Sequence, residues 1–69
     1  MRRDPVTSSN VADIGYDPQN LTLEVGFVNG TVYQFFDVPE WVYQEFRTAP
    51  SPGTYFHQNI KKVYRYGRL

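Results

Sequence analysis

Cysteine is missing from this chain, so disulfides and thiolate metal sites are excluded. Histidine occurs once, at His57, so no imidazole cluster can form. Net charge is absent too: seven cations balance seven acids, which argues against a strongly basic nucleic-acid binder. No apolar run approaches the roughly 20 residues that a membrane-spanning helix needs. The start, MRRDPVTSS, has two arginines but no apolar core, unlike a secretory signal. The lack of cysteine fits a reducing compartment, and the chain reads as cytoplasmic. Its 69 residues allow one domain. A chain this short buries only about 60% of the surface that its unfolded form exposes. With neither disulfide nor metal to help, large side chains must hold it together.

Those side chains are present. One Trp, six Tyr and five Phe make twelve aromatic residues, each able to bury about 150–250 Å². Charge is also segregated. All seven acids lie between Asp4 and Glu45, whereas Lys61, Lys62, Arg65 and Arg68 close the chain with no acid among them. A basic end on an acidic body hints at an anionic partner.

The stretch Leu21 to Val38 organises the fold. Two β-rich runs flank Asn29-Gly30, a strong short-range hairpin signal. Leu21, Leu23, Val25 and Phe27 alternate with Thr22, Glu24, Gly26 and Val28, as in a half-buried strand. A two-residue turn would set Phe27 opposite Val32, Val25 opposite Gln34 and Leu23 opposite Phe36. Tyr33 and Phe35 would then form an aromatic ribbon on the second face. A three-residue turn with Gly30 left-handed would shift the register by one and send both rings inward. The dipeptide favours the first and aromatic burial the second; the two-residue turn is the expected one.

Before the hairpin, Asn10 to Tyr16 reads as a strand with Ala12, Ile14 and Tyr16 on one face and Val11, Asp13 and Gly15 on the other. Asp17-Pro18-Gln19-Asn20 reads as a turn to an antiparallel neighbour. After it, Pro39 suits a first helical position, and Asp37 and Glu40 complement the helix dipole. That helix is expected over about Pro39–Thr48, with Val42, Phe46 and Ala49 facing the sheet. Ser51 and Pro52 suit the cap and first position of a second helix, whose apolar positions are Phe56, Ile60 and Val63. The expected class is α+β: a three-stranded antiparallel β-meander with two short helices packed on one face. Residues 1–7 are expected to be a disordered N-terminal segment and 8–69 a single domain. The expected core is Ile14, Leu21, Leu23, Val25, Phe27, Val42, Phe46, Phe56 and Ile60.

Several stretches together resemble a known family. They are Ser8-Ser9-Asn10 with IGYDP, the run from Leu23 to Glu40 with Asp37-Val38-Pro39, the linker Ala49 to Gly53, and the closing YRYGRL. In these the chain resembles the KTSC domain over roughly Ser8 to Leu69. That module is named for its occurrence at the C-terminus of some lysyl-tRNA synthetases and also stands alone in bacterial and phage proteins. The resemblance implies an RNA-related role by context only, and it carries no catalytic residue over.

Lys61, Lys62, Tyr64, Arg65, Tyr66 and Arg68 mix cations with rings, which is what single-stranded nucleic acid requires of a binder. The plain alternative is a solvated tail whose tyrosines pack inward. Tyr33 and Phe35, if exposed on a sheet, would be of the kind that stacks bases; a covering tail or helix is the plainer reading. Trp41 is of the type enriched at interface centres. His57 has no Ser, Cys or acid at a motif spacing, so catalytic residues are none and the chain reads as no enzyme. The acids have no metal-loop spacing, and no metal, cofactor or membrane is expected. The function expected is a small non-catalytic binding module, for RNA and in particular tRNA. The alternative is a protein–protein module or homodimer using exposed aromatics or a free sheet edge.

Overall fold

Alternation and turn chemistry build the sheet, and a computed structural model describes all 69 residues of the chain. The elements run β1 (Asp4–Pro5), β2 (Val11–Asp17), β3 (Thr22–Phe27), β4 (Val32–Phe35), α1 (Glu40–Thr48), α2 (Pro52–Asn59) and β5 (Tyr66–Arg68). The strands form one antiparallel sheet in the order of the chain. The expected meander is present as β2-β3-β4. Two very short strands extend it, so the sheet has five strands and not three. Asp4–Pro5 pairs with Asp13 and Ile14, which ties part of the segment expected to be disordered to the sheet.

The β3-β4 hairpin takes the three-residue turn and overturns the expected register. Phe27 N donates to Thr31 O at 2.8 Å, Gly30 N donates to Phe27 O at 2.9 Å, and Gly30 has φ +92°. Asn29 keeps a negative φ and accepts from Thr31 N through Oδ1 at 3.0 Å. Val25 therefore faces Tyr33, and Leu23 faces Phe35. The physical reason is burial: this register brings two aromatic rings to the core side, while the other would strand them opposite it.

A bulge corrects β2 in the same way. Val11 opposes Phe27 while Asp13 opposes Gly26, so one extra residue lies between them. Val11 thereby joins Ile14 in the core, not Asp13 on the far face. Leu21, expected inside, is exposed in left-handed backbone (φ 52°) at the end of the β2-β3 loop. Asp17 begins that loop. Its carboxylate accepts from Asn20 Nδ2 at 2.7 Å and from Gln19 N at 3.0 Å. The Asn20 bond is the main reason its pKa is lowered.

Helix α1 starts one residue later than expected, with Pro39 as an extended N-cap, and buries Val42 and Phe46. Ser51 caps α2 by accepting from Thr54 N, with Pro52 at the first position. Phe56 and Ile60 are buried, but α2 ends at Asn59 and leaves Val63 61% exposed, contrary to the expected stripe. One core of ten residues joins the helices to one sheet face: Val11, Ile14, Leu23, Val25, Phe35, Val38, Val42, Phe46, Phe56 and Ile60.

Tyr55 of α2 donates to Glu45 Oε1 of α1 at 2.8 Å. Burial first, then the bond and charge of Glu45, push its phenol up to about 12. An ordinary tyrosine titrates near 10. The folded state thus holds this proton more tightly than the unfolded state. Its stabilising contribution is complete below about pH 10 and is lost as pH rises toward about 12. Tyr16 is raised in the same direction, by burial first and then by Glu40 and Asp17. Urea midpoints should therefore fall across that alkaline window, and Tyr55→Phe should flatten the fall.

The sheet's second face is polar and crossed by the N-terminal arm. Arg3 Nη1 donates to Glu24 Oε2 at 2.9 Å, and Gln34 Nε2 donates to Glu24 Oε1 at 3.0 Å. Arg3 Nε lies 2.9 Å from Asp13 Oδ1, an ion contact outside hydrogen-bond alignment. Glycine makes room for the arm: a Cβ at Gly15 would collide with the Arg2 carbonyl oxygen.

Candidate nucleic-acid interface

Helix α2 and β4 both feed side chains toward the space beside β5. By the period of two, Tyr33 and Phe35 share a face of β4, and Tyr66 and Arg68 share the matching face of β5. Cross-strand pairing sets Phe35 opposite Tyr66 and Tyr33 opposite Arg68. The turn after α2 brings Lys61 and Lys62 alongside. The result is an open groove of about 640 Å³. Phe27, Tyr33, Phe35, Phe56, Tyr64 and Tyr66 form its aromatic lining, and His57, Lys61 and Lys62 its basic wall.

The rings make a continuous cluster. Tyr66 lies 5.8 Å from Tyr33 and 5.7 Å from Phe35, centroid to centroid. Phe56 packs edge-on against Phe35 at 5.5 Å and against Phe27 at 5.4 Å. Such contacts fix ring planes beyond what area burial alone does. Exposure divides the rings into floor and rim. Phe35 is 3% exposed and cannot present a face to a ligand, whereas Tyr66 is 60% exposed. Tyr33 and Tyr64 are half-buried.

Six of the eight side chains singled out from sequence thus line one groove: Tyr33, Phe35, Lys61, Lys62, Tyr64 and Tyr66. The second-face aromatic ribbon does not exist, because the register turns Tyr33 and Phe35 to the helix side. Arg65 stands apart from them. Opposite in phase to Tyr66, it bonds Asp37 Oδ2 through Nη2 at 3.0 Å, with its guanidinium carbon 5.6 Å from the Phe36 ring centroid. Arg68 is exposed beside Tyr33 and outside the lining. Sequence reading missed Phe27, Phe56 and His57. The helical spacing of His57 and Lys61, four apart, would have put both on one side of α2 and its C-terminal turn.

The serines have structural partners. Ser8 Oγ accepts from Val11 N at 3.3 Å and donates to Asn10 Oδ1 at 3.0 Å, leading into β2. Ser51 caps α2. No helix is long and apolar enough to cross a membrane.

Comparison with known proteins agrees with this fold. The family model described as the KTSC domain matches residues 7–64. A lysine–tRNA ligase of a Nostoc species is 43% identical over 54 residues, covering 78% of this chain and 10% of the ligase. The chain therefore spans about a tenth of that relative's length. An uncharacterized protein of Stutzerimonas stutzeri is 40% identical over 100% of this chain and 99% of its own length. The crystal structure of a KTSC domain protein from Yersinia pestis superposes with a TM-score of 0.93 at 40% identity, over 99% of this chain and 96% of that one. With sequence, extent and three-dimensional arrangement in agreement, this chain belongs to the KTSC domain family.

Proposed function

We propose that this domain is a small non-catalytic RNA-binding module, that tRNA is the RNA it meets, and that it works in the cytoplasm. The observation that carries this reading is the aromatic groove walled by Lys61 and Lys62 with no acid in its lining. Cations meet phosphates there, and the face of Tyr66 is free to stack on a base. Lysine–tRNA ligases carry a homologous segment, which supplies the tRNA context.

A fluorescence titration with a tRNA pool at two salt concentrations tests it. Binding should weaken as salt rises, because each neutralised phosphate releases counterions. The Lys61→Ala, Lys62→Ala double variant should bind more weakly and depend less on salt. Absent binding, or binding indifferent to salt, overturns the reading. A second reading, a protein-interaction module or homodimer, draws on Trp41, 63% exposed on α1. Light scattering across dilution tests the dimer form.

A further inference from the structure

The cations of this chain are spent unequally on its two faces. Arg3 sits with Asp13 and Glu24 on the face away from the helices. Arg2 bonds Asp4, and Arg65 bonds Asp37. Beside the groove that leaves Lys61 and Lys62 in the wall and Arg68 across from Tyr33, none of them ion-paired. Three cations are enough to favour an anion. They are few for a duplex, whose binders commonly make about 6–10 phosphate contacts.

Ring placement narrows the choice further. A base stacked within a duplex hides both of its faces, and the deep major groove of A-form RNA is closed to side chains. Tyr66 offers an open face above the floor made by Phe35, and that face suits a base that has already left its stack. The groove, at about 640 Å³, falls within the roughly 300–1,000 Å³ typical of small-ligand clefts. It suits one or two nucleotides and not a helix.

Resting on the RNA-binding reading of this same groove, we infer that its ligand is a short single-stranded RNA segment. One or two unstacked bases lie against Tyr66 and Tyr33, and the flanking phosphates meet Lys61, Lys62 and Arg68. Arg65 takes no part, since its side chain, one residue before β5, lies on the opposite face, against Phe36 and Asp37.

The test is a fluorescence-anisotropy titration of the full chain with a short single-stranded RNA and with a blunt duplex of the same sequence, each over a salt series. The expected result is saturable binding of the single strand alone. Its log K should fall against log salt with a slope of about −2, from three cations at about 0.7 each. Tyr66→Ala should weaken binding about tenfold, while Tyr66→Phe, which keeps the ring face, retains it. Arg65→Ala should leave the slope unchanged, and Lys62→Ala should reduce it. Equal binding of the duplex, a slope several times steeper, or loss of binding in Arg65→Ala overturns the single-strand inference but leaves RNA binding standing. Binding of neither RNA overturns both.

Discussion

Phe46→Ala should remove about 3–5 kcal/mol of folding free energy, the usual range for truncating a buried aromatic residue. The Phe46 ring is wholly buried on α1. It stacks on Tyr55 at 5.7 Å and lies 6.2 Å from Phe56, so it is the piece of α1 that holds α2 in place. Its loss leaves a hole between two helices and a sheet with no neighbour large enough to fill it. Domains are stable by roughly 0.05–0.15 kcal/mol per residue. For 69 residues that amounts to about 3–10 kcal/mol, so the loss is comparable to the whole. A urea titration followed by near-ultraviolet circular dichroism should show the midpoint collapsing toward zero denaturant. Trp41→Ala is the matched control: a larger ring on the same helix, but exposed, with an expected change within about 0.5 kcal/mol. An unchanged midpoint for Phe46→Ala would mean that the core is not organised around this ring.

The position of the hairpin was legible in the sequence, and its register was not. Asn29-Gly30 suits both turn types, and the choice fell to a tertiary quantity, the burial of Tyr33 and Phe35. The same gap explains Val11. Period two assigns it to the face of Asp13, and only the bulge beside Ala12 moves it. Strands of two and three residues have no readable period. β1 and β5 exist because β2 and β4 offer free ladders to pair with. Helix boundaries were more legible, because proline geometry and the Ser51 cap act locally.

Legibility at the groove follows the same division. Lys61, Lys62, Tyr64 and Tyr66 were found because they are neighbours in the chain. Tyr33 and Phe35 were found for a reason that the register overturned, and they reach the groove from the opposite face to the one expected. Phe27 and Phe56 looked like core and are half core, half lining. Arg65 fell among the candidates because composition is blind to side-chain phase along the segment that leads into β5. What composition could not show was how Asp4, Asp13, Glu24 and Asp37 divide the cations, and that division decides which charges remain free.

Arg3→Ala should destabilise the fold by about 2–3 kcal/mol. Removing one partner of a fully buried ion pair costs about 3–5 kcal/mol, and partial exposure of the arginine lowers that figure. Its side chain is 28% exposed, while that of Glu24 is only 11% exposed. Without the guanidinium, Glu24 keeps Gln34 as its one side-chain donor, and Asp13 remains as a second negative charge on the same patch. Arg3→Lys should recover part of the loss, since an ammonium is a point charge and cannot span both carboxylates as the planar guanidinium does. Glu24→Gln in the Arg3→Ala background should recover more, because it removes the charge left unpaired. Urea midpoints of the native chain, Arg3→Ala, Glu24→Gln and the double variant form a double-mutant cycle. A coupling near zero would mean that the N-terminal arm rests on the sheet through its short strand pairing alone, and that the polar second face owes little to the arginine that bridges it.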